Sequence, residues 1–148
     1  RNGLNKMSKS DPSENSRINM TDDSDTIARK IKKATSDNDL LPGSPEGLVG
    51  RPEAANLMGI YAALSDKTIN DVCTEFEGQQ FSVFKQALVD IAIAVLGPIG
   101  NEMGRLVSDS SYLDTILKNG SERAKVIAEP VLAEVFDAVG LLRPNFSV

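Results

Sequence analysis

The run from Gln80 to Leu96 constrains the fold more than any other stretch of the chain. Phe84, Ala87, Leu88, Ile91 and Val95 recur at the three-and-four spacing that places side chains on one face of an α-helix. Between Leu88 and Leu96 apolar residues spread almost all round that helix, the pattern of an element covered on every side. This is therefore expected to be the central, most buried helix. Gly97-Pro98 is expected to bend or break it, because proline lacks an amide and crowds the preceding turn. The apolar pattern resumes through Ile99, Met103, Leu106 and Val107.

Other segments repeat the period. Asp22, Asp23, Ser24 and Asp25 supply capping oxygens and negative charge for a helix over Thr26 to Thr35, with Ile27, Ile31 and Ala34 on its apolar stripe. Arg29, Lys30, Lys32 and Lys33 fill the rest of that helix, either as a solvated face that complements the helix dipole or as a phosphate-binding one. Asn38 to Pro52, with four prolines or glycines in its second half and two more before them, is expected to be a long surface loop. Helices follow over Glu53 to Leu64 and Thr68 to Phe76, the latter stopped by Gly78. A short helix over Ser110 to Lys118 should close at Asn119-Gly120. A last one should open at Ser121, kink at Pro130 and end at Gly140. With only Arg17 to Met20 as a strand candidate, the fold class is all-α, a helical bundle.

Residues 1–16 are dense in Asn, Ser, Gly, Asp and Pro and read as loop. Inside them lies Lys6-Met7-Ser8-Lys9-Ser10, followed by Asp11-Pro12, where Pro12 keeps Asp11 out of helical angles. Two ammonium groups three residues apart, with hydroxyls between and after them, suit a triphosphate. Where pyrophosphate departs, charge grows on the leaving oxygens, and cations placed there stabilise the transition state more than the ground state.

Composition removes several alternatives. The chain of 148 residues has no His and one Cys, which excludes a His-based triad and argues against a zinc site or an internal disulfide. Cys73 is expected to be a small buried apolar side chain and fits a reducing cytoplasm. The longest all-apolar run, Ile91 to Leu96, is far short of a membrane span. Net charge is −5, divided as +2 over residues 1–37 and −7 over the remainder. Such a chain is not a general nucleic-acid coat.

The pentapeptide Lys6 to Ser10 resembles the mobile ATP-binding loop of class I aminoacyl-tRNA synthetases. The blocks Asn15-Ser16-Arg17-Ile18, Ile27 to Asp37, Asn56 to Tyr61 and Phe76 to Lys85 are similar to those of bacterial tryptophanyl-tRNA synthetases, so that the resemblance runs from about Leu4 to Leu142. It implies an ATP-dependent tryptophan–tRNA ligase with Mg2+ bridging the nucleotide phosphates. Lys6 and Lys9 would be catalytic, and Lys6, Met7, Ser8, Lys9 and Ser10 together would bind ATP, Met7 by packing over the nucleotide.

The helical remainder is similar to the family's anticodon-binding domain. The tRNA-binding candidates carried by position are Lys33, Ser36, Asp37, Asn38, Phe84 and Lys85. Three of them have a plainer reading: Asp37 as a turn cap, Phe84 as core, Lys85 as a solvated cation. The family's nucleotide-binding half precedes the loop with a His-Ile-Gly-His-type motif, which a chain without His lacks. The chain is therefore expected to be the C-terminal portion of such an enzyme, inactive alone. Residues 1–21 would be the extended, mobile phosphate-binding loop and the tail end of the nucleotide-binding domain, 22–142 the anticodon-binding bundle, and 143–148 a frayed tail. Expected partners are tRNA(Trp), ATP and L-tryptophan in the cytoplasm. The whole enzyme is expected to be a homodimer through the part outside this chain, leaving this chain a monomer. The competing reading is a stand-alone, non-catalytic helical module that binds RNA or protein.

Overall fold

The computed structural model describes Leu4 and residues 11–142; the Lys6 to Ser10 loop and residues 143–148 lie outside the described residues. Every regular element among the described residues is helical: α1 (Ser24–Lys32), α2 (Pro52–Ser65), α3 (Ile69–Glu75), α4 (Phe81–Ser108) and α5 (Ser110–Val139), with 3-10 turns at Glu14–Ser16 and Pro45–Leu48. The chain divides into two compact units, Arg1–Gly104 and Arg105–Val148. The boundary falls inside the stretch expected to be one helical domain.

Local chemistry explains where the helices begin and end. Asp23 caps α1 by accepting from the Thr26 amide, and Thr68 and Asp71 form a reciprocal capping box at α3. Pro52 occupies the first turn of α2, where its missing amide leaves no helix bond unmade. Asp66 ends α2 with φ 54°, a left-handed conformation that Asp tolerates. Gly78, at φ +70°, turns the chain from α3 toward α4. In that turn the Leu41 amide donates to the Gln79 carbonyl and the Gly78 amide to the Leu41 carbonyl, each at 2.9 Å. The segment from Asn38 to Pro52 is thus pinned to the bundle by backbone bonds and by two buried side chains, Leu41 and Leu48.

The first unit is built on three rings. Tyr61 of α2, Phe76 after α3 and Phe84 of α4 stand 4.9 to 5.7 Å apart between centroids, two of the three pairs edge to face. Around them pack Ile27 and Ile31 of α1, Leu57 and Met58 of α2, Val72 and Cys73 of α3, and Leu88 and Ala92 of α4. Cys73 is fully buried, and burial, with the Glu46 carboxylate as a lesser influence, pushes its thiol pKa up. That is the setting of an inert core thiol.

Four expectations change. First, α4 does not break at Gly97-Pro98 but runs for 28 residues through Pro98. The carbonyl deprived of its partner belongs to Ala94, on an exposed part of the helix where water can satisfy it. Secondly, its buried residues are confined to Phe81 through Ala92, while Val95 and Ile99 are exposed. By length and composition α4 could cross a membrane, yet its first three turns are committed to the aromatic core. Thirdly, the two helices expected around Asn119-Gly120 are one, Ser110–Val139, continuing through Pro130 and ending at Gly140 with φ 71°. Gly and Asn disfavour a helix by no more than about 1 kcal/mol each, too little to stop a propagating one. Finally, Arg17 to Met20 forms no strand. The Asp22 carboxylate instead takes the Asn19 amide and closes a turn.

Lys30 also departs from expectation. Its side chain is buried, the sole buried charge among the described residues, and its ammonium donates to Asp22. Burial pushes the Asp22 carboxyl up, but the Lys30 ammonium and the Asn19 amide together hold its pKa below the ordinary value. The pair ties the turn before α1 to the helix itself. Beside it, α4 needs Gly100: a Cβ there would sit 2.7 Å from the Met20 carbonyl oxygen.

Two stability measurements follow. Phe84→Ala removes the ring shared by both other aromatics and should cost about 3–5 kcal/mol in urea unfolding. Lys30→Ala leaves Asp22 partly buried without its cation and should cost about 3 kcal/mol, while Asp22→Asn with Lys30→Met should recover most of that loss.

Candidate nucleic-acid interface

The end of α1, the loop after it and the start of α4 meet on one side of the first unit. α1 finishes with Arg29, Lys30 and Lys32 in its last turn, and its terminal carbonyls carry the negative end of the helix dipole. Lys85, fifty-one residues beyond Ala34, answers that charge. Its Nζ donates to the Ala34 carbonyl at 2.7 Å, the Ser36 Oγ at 3.2 Å and the Lys32 carbonyl at 3.5 Å. All three acceptors are neutral, and burial pushes the ammonium pKa down. A half-buried cation without a carboxylate among these acceptors is suited to an incoming anion.

Lys85 borders an open cleft of about 460 Å³, lined also by Lys32, Ser36, Phe81, Ser82 and Gln86. A second hollow of about 240 Å³ shares Phe81 and Ser82 and is bounded by Asp37, Asn38, Asp39, Leu40 and Gln80. Four of the six tRNA-binding candidates, Ser36, Asp37, Asn38 and Lys85, thus converge on one continuous surface. Lys33 stands exposed at the C-cap of α1, outside both linings. Phe84 lies one position before Lys85 but is wholly buried against Tyr61 and Phe76. The core reading is the one its position fits, because no ring face is open to a base.

Asp37 has a partner that the sequence did not reveal. Arg51 grips it as a fork, Nη2 to Oδ1 at 2.6 Å and Nε to Oδ2 at 3.0 Å. The same guanidinium donates to the Leu40 carbonyl at 2.9 Å and the Asp39 carbonyl at 3.3 Å. Asp37 also accepts from the Asp39 amide. Its carboxylate therefore fixes the shape of the loop that presents Ser36 and Asn38. Ser82 and Gln86 were missed as lining residues, whereas Lys32 belongs to the basic run whose phosphate-binding reading the sequence left open. The polar residues Gln79, Gln80 and Ser82 at the start of an otherwise apolar helix were the available signal. Nothing in the sequence pairs Arg51 with Asp37.

The Arg51 fork, ahead of opposing burial, holds the Asp37 carboxyl below its ordinary value of 3.8. A depressed carboxylate contributes stability that is complete above its unfolded pKa and lost as pH falls through the folded one. Asp37→Asn should therefore lower the melting temperature by a few degrees at pH 7, for a loss of about 1 kcal/mol. The gap between variant and parent should shrink as the pH drops below 3.8. Melting curves for the two chains at a series of pH values measure it.

Residues 1–97 match the family model for class I tRNA synthetases of the tryptophan and tyrosine type. The chain is 60% identical over 143 residues to the tryptophan–tRNA ligase of Agrobacterium fabrum, covering 97% of this chain and 40% of the relative. The corresponding ligase of Rhizobium meliloti is 54% identical over the same share of both chains. That of Rickettsia felis is 41% identical over 96% of this chain and 42% of its own length. The chain thus spans about two fifths of the length of these curated relatives. It belongs to the class I tRNA synthetases of the tryptophan and tyrosine family.

Proposed function

We propose that this chain supplies the phosphate-binding loop and the anticodon-binding helices of an ATP-dependent tryptophan–tRNA ligase. The observation that carries the reading is the identity of 60% to one such ligase across 97% of the chain. In the reaction, the tryptophan carboxylate attacks the α-phosphorus of ATP. The new carboxylate–phosphorus bond forms as the bond to pyrophosphate breaks, and the aminoacyl group then passes to the 3′ end of tRNA(Trp). Lys6 and Lys9 neutralise the departing pyrophosphate, Ser8 and Ser10 add hydroxyl donors, and Met7 packs over the nucleotide. Mg2+ enters with the phosphates of its substrate. Among the described residues no cluster of three or more His, Cys, Asp or Glu could hold a metal ion.

The cleft beside Lys85 is the proposed seat of the anticodon. Unstacked bases are read by hydrogen bonds to their edges, for which Ser36, Asn38 and the neighbouring glutamines offer both donors and acceptors. Lys33 and Lys85 meet phosphate, while Asp37 and Phe84 act from behind, the first by shaping the loop and the second by seating α4. Local cations at the end of α1 offset the acidic balance of the rest. The ligase works in the cytoplasm, as a homodimer when whole.

Pyrophosphate exchange into ATP tests the catalytic part. The chain alone should show none. Joined to the amino-terminal portion of the Agrobacterium fabrum ligase it should exchange, and Lys9→Ala should slow that reaction about a hundredfold. Exchange by the chain alone, or indifference of the joined enzyme to Lys9→Ala, overturns the assignment. Lys85→Ala should weaken tRNA(Trp) binding about tenfold and leave exchange unchanged. Loss of neither would favour a protein-binding module.

A further inference from the structure

The two hollows beside the end of α1 differ in chemistry. Lys32 and Lys85 line the larger one, whereas no cation among the described residues lines the hollow of about 240 Å³. Two acids, Asp37 and Asp39, border it instead, together with the amides of Asn38 and Gln80. Leu40, 55% exposed, adds an apolar edge. Such a wall repels a phosphate, but it suits the flat face and hydrogen-bonding edge of an unstacked nucleobase. Phe81 and Ser82 line both hollows, so a nucleotide whose phosphate meets Lys85 has the second hollow next to its base.

The two sides of that hollow are fastened differently. One side is the start of α4, anchored in the core by Phe81 and Phe84. The other is the loop from Asp37 to Leu40. Its far end is held at Leu41, whose side chain is buried and whose amide and carbonyl are both bonded to the α3–α4 turn. Between those points the hold comes from Arg51, through the fork onto Asp37 and the bonds to the Asp39 and Leu40 carbonyls. Arg51 itself stands at the N-cap position of α2, where its amide donates to the Leu48 carbonyl at 3.0 Å. The loop is thereby tied to the helix that carries Tyr61. The fork also sets a positive charge against both Asp37 oxygens, cancelling a charge that would otherwise face a polyanion.

We propose that Arg51 is a positioning residue for RNA: by clamping residues 37–40 to α2 and cancelling the charge of Asp37, it keeps the second hollow shaped for a single nucleobase. Arg51 lines neither hollow and acts only through the loop. Lysine is no substitute, because one ammonium with three donors cannot fork a carboxylate and reach two carbonyls as well. The role rests on the reading of this surface as the tRNA interface.

Binding of the 148-residue chain to the anticodon stem-loop of tRNA(Trp), followed by fluorescence anisotropy, is the test. Arg51→Lys should raise the dissociation constant about tenfold. Arg51→Gln, which also uncovers the Asp37 charge, should raise it about thirtyfold, and adding Asp37→Asn should recover only the part due to charge, about threefold. Stem-loops with an abasic nucleotide at each anticodon position in turn locate the base. At one position the abasic change should weaken binding to the parent about tenfold yet cost Arg51→Lys less than about twofold, because the hollow is already lost there. A merely loosened fold would weaken every stem-loop alike. Circular dichroism should show unchanged helix content in each variant. In the enzyme joined to the amino-terminal portion of the Agrobacterium fabrum ligase, Arg51→Lys should raise KM for tRNA(Trp) by the same factor and leave kcat and pyrophosphate exchange unchanged. Parent-like binding by Arg51→Lys, or abasic losses that add to it at all three positions, overturns the role of Arg51 even where Lys85→Ala weakens binding as the interface requires. No binding of the stem-loop, or indifference to Lys85→Ala, overturns the interface reading and this role together.

Discussion

The mutual packing of Tyr61, Phe76 and Phe84 is the constraint on which the first unit turns. Each ring comes from a different part of the chain, so their contact fixes α2, the end of α3 and the start of α4 at once. Edge-to-face rings resist sliding because the preferred geometry is directional. With α4 held by Phe84, its neighbour in sequence, Lys85, faces the end of α1 and Phe81 lines the floor of the cleft. The site thus has its first supports inside the core, and its polar groups are carried in part by α4 and in part by the loop after α1.

The loop between α1 and α2 shows a second level of the same logic. A segment of Pro and Gly has few regular backbone bonds of its own, and its order must come from elsewhere. Here it comes from the exchange of two backbone bonds with the α3–α4 turn, from Leu41 and Leu48 in the core, and from Arg51 reaching across to Asp37 and two carbonyls. One guanidinium makes four hydrogen bonds there, which is why a stretch rich in helix breakers still holds a defined shape.

Much of this was legible in the sequence. The period of apolar residues located all five helices, and the capping cluster Asp22 to Asp25 located the start of α1. What misled was local punctuation: Gly97-Pro98 and Asn119-Gly120 read as breaks, but on exposed helix the cost of each residue is small beside the bonds on either side. Burial was overestimated for the second half of α4 because composition does not say which neighbour covers a face. Within the site, the family resemblance singled out Ser36, Asp37, Asn38 and Lys85, and the fold sets these four beside two adjoining hollows. Arg51 and Lys30 escaped, since pairing across fourteen residues, or a lysine turned inward to meet Asp22, leaves no mark in a one-dimensional pattern.

The burial of Cys73 has an electrostatic consequence. With that thiol displaced upward and no imidazole in the chain, no side chain has an ordinary pKa within the interval from about 5 to 8. Among the described residues only Lys85, drawn down by burial, moves toward that interval from above. Acidity in the physiological range therefore leaves the surface potential almost unaltered, and dissolved ions, through screening and counterion release, become the variable that sets how firmly such a surface holds a polyanion.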